Sequence, residues 1–309
     1  LIIGTGGTSK TANAVVTDMG AKEIIFVSNV EVAGAFSYDE VYKNHTDVDV
    51  IFNTSPVGMY PKNEGCPIDL AKFPRVTALI DVVYNPIRTT LVSRAKEMGI
   101  KAEGGLYMLG AQAVYAYEHF MDSKVDKSLC DKIYNDVIKE KDNIVLIGMP
   151  ASGKTTIGKL LAEKTGKKFI DTDDEIVKAY GNDIPTIFKE KGEAYFRDIE
   201  TDLVKRLQEQ DGVVVSCGGG AVLREENRNM MKQSGVIVLL TAKPETILER
   251  VKYSTDRPIL NGNMNVEYIT GLMEKRRACY EGAADVVVAT DDKSSEEICQ
   301  EILGKIGKN

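Results

Sequence analysis

The sequence predicts an α/β protein made of two doubly wound parallel-sheet domains. Short apolar runs, such as Ile144-Val145-Leu146-Ile147 and Gly212-Val213-Val214-Val215, alternate with stretches of helical spacing, as buried parallel strands joined by helices do. Two of the runs pass straight into glycine turns that open helices, Gly4-Thr5-Gly6-Gly7 and Gly148-Met149-Pro150-Ala151-Ser152-Gly153. The chain has 309 residues, 43% of them hydrophobic, enough for two cores. The expected division is residues 1–141 and 142–309.

Composition narrows the partners. A net charge of −7 argues against a nucleic-acid surface or an anionic membrane as main partner. The five cysteines are scattered and form no C-x-x-C pair, so neither a zinc site nor a disulfide framework is expected. A reduced, cytoplasmic compartment fits that usage. No apolar run approaches the length of a membrane span. Small-molecule substrates are the expected partners. Position 1 is Leu, in mid-strand against a glycine turn, which predicts a fragment whose N-terminus lies upstream.

In the first half, residues 1–3 read as a strand, residues 12–19 as a helix closed by Gly20, and residues 23–27 as the next strand. This is the opening unit of a Rossmann dinucleotide-binding sheet. Beyond Val27, Glu31 lies where a ribose 2′-hydroxyl would be read, and no arginine stands there for a 2′-phosphate. Few residues separate Val27 from the strand at 48–53. No helix is read there, so the unit is either abbreviated or lacks residues between about Asn29 and Phe36. A strand at 77–84, a helix at Thr90–Glu97, an edge strand near 100–102 and a helix at 107–120 follow. Leu129, Ile133, Val137 and Ile138 mark a further helix whose apolar stripe should dock on the first domain.

Four blocks in this half resemble the cofactor domain of the shikimate dehydrogenase family, over residues 1–122. They are Gly4-x-Gly6-Gly7-x-Ser9-Lys10, Asn53-Thr54-Ser55-x-x-Gly58-Met59, Asp81-x-x-Tyr84-x-Pro86-x-x-Thr89 and Gly104-Gly105-x-x-Met108-Leu109-x-x-Gln112-Ala113. The resemblance implies an NADP cofactor lined by Gly4, Gly6, Gly7, Val82 and Gly105. It implies that Tyr84 and Gln112 touch the substrate, 3-dehydroshikimate. It places the family's catalytic Lys and Asp on an N-terminal substrate domain outside this sequence, so turnover is expected only of the full-length protein.

In the second half, a strand, a Gly-x-x-x-x-Gly-Lys-Thr turn and a helix in that order make a P-loop. Its backbone N–H groups and helix start suit a phosphate, Lys154 reaches the β- and γ-phosphates, and the Thr155 hydroxyl binds Mg²⁺. Asp171 and Asp173 close the next strand and share one face of an extended segment. One can hold the metal through water, and the other can orient an attacking hydroxyl. A helix cap with first-turn acids accounts for Thr172 and Asp174. Gly218-Gly219-Gly220 ends another strand and lets a ligand approach the backbone. Residues 253–265 are polar and irregular, a lid candidate that carries Arg257. Arg197 and Arg276 offer two guanidinium forks for a carboxylate, and Asp173 suits hydroxyls, so the acceptor should be a small hydroxy acid.

The P-loop, Asp171-x-Asp173, Phe196-Arg197-x-x-Glu200, Gly218-Gly219-Gly220, Arg257-Pro258-x-Leu260 and Arg276-x-x-x-Tyr280 together resemble the shikimate kinase family over residues 143–309. The resemblance implies a nucleoside monophosphate kinase-like fold and transfer of phosphate from ATP to shikimate. Asp173, Arg197, Gly218, Gly219, Gly220 and Arg276 would bind shikimate. Ala151, Ser152, Gly153, Lys154, Thr155, Thr156 and Arg257 would bind ATP, with Arg250 and Lys293 on the adenine side. Lys154, Asp173 and Arg257 would be catalytic, and Thr155 and Asp171 would hold Mg²⁺. Two alternatives stay open: another hydroxy acid, such as a gluconate-like sugar acid, as acceptor, and a first half that only senses cofactor.

Overall fold

The computed structural model describes residues 1–251 and 265–307. The chain forms two compact units, Leu1–Ile138 and Lys139–Asn309. The first unit carries β1 (Ile2–Ile3), α1 (Gly7–Asp18), β2 (Phe26–Val27), α2 (Tyr38–Asn44), β3 (Val50–Asn53), β4 (Ala78–Asp81), α3 (Thr90–Glu97), β5 (Lys101–Glu103) and α4 (Leu106–Met121). Helix α5 (Ser128–Lys141) follows. The sheet is parallel, in the order β2-β1-β3-β4-β5. The chain steps from β1 to one neighbour and then crosses to the other. The connections therefore diverge between β1 and β3, where doubly wound sheets take their ligands.

Two expectations for this unit need correction. Helix α1 starts at Gly7, not near residue 12, so its unsatisfied N–H groups lie in the glycine turn itself. A helix, α2, does stand between β2 and β3. The Ser37 hydroxyl accepts from the Glu40 N–H, and the Glu40 carboxylate accepts from the Ser37 N–H. That reciprocal cap sustains a helix of seven residues with one buried side chain, Val41, too few apolar positions to show a period. Helix α5 docks as expected. Ile133 lies against Gly110, Tyr107 packs beside Tyr134 at 5.7 Å, and the Tyr107 hydroxyl donates to Asp131 at 2.9 Å.

The second unit carries β6 (Asn143–Ile147), α6 (Lys154–Thr165), β7 (Lys168–Asp171), α7 (Thr172–Tyr180), α8 (Ile184–Leu207), β8 (Val213–Ser216), α9 (Glu225–Ser234), β9 (Gly235–Thr241), α10 (Pro244–Val251), α11 (Val266–Ala283), β10 (Val286–Ala289) and α12 (Ser295–Ile306). Its parallel sheet runs β10-β9-β6-β8-β7. Both faces are covered. Val145 and Ile147 of β6 join one core cluster with Val215 and Leu239, while Ile144 and Leu146 join another with Val214 and Val238. Burial on both faces is why these strands read as unbroken apolar runs. Helix α8 kinks at Gly192, where φ is +85°, and its second half carries Arg197 and Glu200.

Candidate functional site

The carboxyl ends of β6, β7 and β8 open on a cleft of about 720 Å³ lined by the P-loop, Asp171, Asp173 and Ser216. Strand β6 ends at Ile147, and the loop delivers Gly153 as the cap of α6. Lys154 is buried and donates to the carbonyls of Gly148 at 3.0 Å and Met149 at 2.9 Å. Ala151 is held at φ +63°, a left-handed conformation costly for a residue with a side chain and typical of ligand-gripping turns. The Ser152 hydroxyl is buried with no hydrogen-bond partner among the described residues. An orphaned buried hydroxyl beside the start of α6 fits a phosphate ligand.

The Thr155 hydroxyl donates to Asp171 Oδ2 at 2.8 Å and stands 3.5 Å from Ser216 Oγ. Strand register sets this up, because Asp171 and Ser216 are partners at the ends of β7 and β8. Hard oxygen donors with a single carboxylate fit Mg²⁺, which keeps water and phosphate ligands. Among the described residues no cluster of three His, Cys, Asp or Glu side chains competes for a metal. The cap of α7 is Asp171, not Thr172; it accepts from the Asp173 N–H at 3.0 Å, and Asp174 is an acid of the first turn as expected. Thr172 instead accepts from the Gly218 N–H at 2.8 Å.

The triglycine turn gathers the expected acceptor residues. A Cβ added to Gly218 would stand 2.7 Å from Asp173 Oδ1 and 2.9 Å from Glu200 Oε1. One added to Gly219 would strike Pro150 of the P-loop. One added to Gly220 would enter the Arg197 guanidinium. Only glycine allows this approach. The Gly219 carbonyl accepts from Arg276 Nη1 at 3.2 Å and from the Tyr280 hydroxyl at 2.5 Å. Asp173, Arg197 and Arg276, from α7, α8 and α11, thus surround one turn beside the phosphate loop.

Sequence reasoning assigned no role to Glu200, which is 1% exposed. Its Oε2 accepts from Arg197 Nη1 at 2.7 Å, and its Oε1 is buried with no partner among the described residues. Burial pushes its carboxyl up to about 7, against the pull of the Arg197 charge and with help from the Asp173 charge. Arg197 also donates to Glu193 at 3.2 Å. The only hint in the sequence is the three-residue spacing of Arg197 and Glu200, which equally describes a solvated helix pair.

At the other end of the cleft, Arg250 donates to the Ala151 carbonyl at 3.3 Å and to Thr290 Oγ1 at 3.1 Å. Lys293 lines the cleft and donates to Glu301 at 2.6 Å. Gly153 and Thr156 also line it. Arg257, with the expected lid, lies outside the described residues.

In the first unit the glycines and Val82 stand at strand ends. Gly4 follows β1 at φ +98° and lies against Thr54 and Ser55 past β3. Gly6 caps α1, and a Cβ on Gly6 or Gly7 meets nothing within 4 Å, which leaves room for a pyrophosphate at the helix start. A Cβ on Gly105 would fall onto the Val82 carbonyl, so the loops after β4 and β5 are in contact. Buried Asp81 ties three segments together. It accepts from Asn53 Nδ2 at 2.9 Å, the Val83 N–H at 3.1 Å and the Thr89 hydroxyl at 2.7 Å. Tyr84 and Gln112 are exposed.

Comparison with known proteins separates the two units. Residues 150–307 match the family model described as shikimate kinase. A shikimate kinase of Persephonella marina is 45% identical over 164 residues, 53% of this chain and 98% of that protein. The structure of a shikimate kinase from Acinetobacter baumannii in complex with shikimate is 33% identical, with a TM-score of 0.54, and covers 56% of this chain and 97% of its own. The N-terminal part matches shikimate dehydrogenase 1 from Peptoclostridium difficile, 36% identical with a TM-score of 0.40; that match covers 44% of this chain and about half, 51%, of that one.

Proposed function

Because the chain belongs to the shikimate kinase family through its second unit, we propose that this unit seats shikimate at the triglycine turn and phosphorylates it from ATP. The observation that carries the assignment is the convergence of Asp173, Arg197 and Arg276 on Gly218–220, with Gly219 against the phosphate loop. Arg197 and Arg276 supply bidentate donors for the substrate carboxylate. Asp173 accepts the hydrogen of the attacking hydroxyl and orients its oxygen. Ser152, the loop N–H groups and Lys154 hold the phosphates, and Arg250 and Lys293 flank the base. Thr155 and Asp171 hold Mg²⁺, which neutralises charge on the transferring phosphate. Arg257 adds a further cation.

In the same reading the first unit binds NADP at Gly4, Gly6, Gly7, Val82 and Gly105. It serves the reduction of 3-dehydroshikimate to shikimate, with Tyr84 and Gln112 on the substrate. The product of one unit is the acceptor of the other, two consecutive steps toward aromatic amino acids. All five cysteines are free, which supports a cytoplasmic setting. No described helix is long and apolar enough to cross a membrane.

Steady-state kinetics test the acceptor assignment. Arg197→Ala should raise the shikimate KM about tenfold or more, the loss of a charge-assisted bond, and leave the ATP KM within about twofold. Equal effects on both constants would remove Arg197 from the acceptor site.

A further inference from the structure

Helix α10 joins the base end of the cleft to the phosphate loop, and it is fastened at both ends to the segment after β10. At its start Lys243 offers no side-chain acceptor and Pro244 has no N–H, so a local cap is missing. Asp291 supplies one from 48 residues away. Its carboxylate accepts from the Lys243 N–H at 3.0 and 3.2 Å and from the Thr246 hydroxyl at 2.6 Å. In the last turn Arg250 donates to Thr290 Oγ1 at 3.1 Å and to the Thr290 carbonyl at 3.2 Å. The same guanidinium reaches the Ala151 carbonyl. Thr290 is itself pinned to the Thr241 carbonyl through its N–H at 2.8 Å and its hydroxyl at 3.1 Å.

We propose that Asp291 is a positioning residue for the nucleotide: by capping α10 from across the cleft wall, it sets Arg250 against both Thr290 and the phosphate loop. The inference rests on reading this cleft as the ATP site. Asp291 does not line the cleft and acts only through α10. Burial raises its carboxyl, but the Thr246 hydroxyl and the Lys243 N–H outweigh that and hold it below the ordinary range, so it is charged at neutral pH. A negative charge there also complements the helix start. The acceptor end of the cleft is built from α7, α8 and α11, whereas the hydrogen bonds of Asp291 go to the start of α10.

The test is calorimetric titration of ADP beside steady-state kinetics on the whole chain. Asp291→Ala should weaken ADP binding and raise the ATP KM about fivefold, the worth of one lost cap, with the shikimate KM within twofold. Asp291→Asn, which keeps an acceptor oxygen, should recover most of the affinity. Thr246→Val removes only the hydroxyl arm and carries the test if the alanine variant does not fold. A fall in thermal midpoint with unchanged ADP affinity, or equal shifts in both KM values, would overturn the proposal. Failure of the wild-type chain to phosphorylate shikimate would overturn the acceptor reading alone, because ADP titration does not depend on the acceptor.

Discussion

Glu200 and Arg197 form a buried pair in which one carboxylate oxygen is bonded and the other has no partner among the described residues. Taking a carboxylate out of water favours its protonated form, hence a value near 7 in the folded chain against about 4.5 when exposed. Between those values the folded state binds more protons than the unfolded one, so Glu200 contributes stability at low pH that is lost as pH rises from about 4.5 through 7. The difference is worth roughly 3 kcal/mol. Glu200→Gln should therefore flatten the fall in the second unit's thermal midpoint between pH 5 and pH 7.5; an unchanged slope would show that Glu200 is ionised throughout. None of this is legible in the sequence, where Glu200 is one acid among 46 acidic residues and burial is a tertiary property. Lys154 and Thr155 were legible because their spacing encodes a local turn. Asp173, Arg197 and Arg276 are expected together from residue type and family motif alone, since they sit on three helices that only the fold brings to one turn.

Elements with both a locally marked start and several buried apolar positions were the readable ones. Thr90–Glu97, expected with these bounds, starts where Thr89 accepts from the Val92 N–H, and Ser295–Ile306 starts at a Ser294–Glu297 capping box. Helix α9 was not read, because it is mostly polar and two of its four buried residues, Asn227 and Gln233, are polar themselves. The start of α1 was misplaced because glycine disfavours helix interiors, yet here the glycines form the first turn. That placement yields a prediction. Gly6 has φ −79° and ψ −166°, and a Cβ there meets nothing, so Gly6→Ala should fold as the parent does. The added methyl would stand where a pyrophosphate approaches the backbone, so NADPH affinity should fall about tenfold with kinase activity unchanged. Unaltered NADPH affinity would move the cofactor away from this turn.

Across the described residues the chain forms two parallel sheets of five strands each, and each unit has its own core. The blocks of the first unit resemble a dehydrogenase family whose expected product is shikimate, and the second unit belongs to the shikimate kinase family. The expected division after residue 141 rests on the P-loop strand following a charged helix; the compact units are Leu1–Ile138 and Lys139–Asn309. What separates this account from a kinase for another sugar acid is the seat built from Asp173, Arg197 and Arg276 around one glycine turn. The most direct test is phosphoryl transfer by the purified chain with ATP, Mg²⁺ and either shikimate or gluconate. The account predicts shikimate 3-phosphate and ADP in equal amounts, little turnover of gluconate, and a kcat lowered about 10²- to 10⁴-fold in Asp173→Asn. Equal turnover of the two acids, or a kcat unchanged in Asp173→Asn, would contradict it.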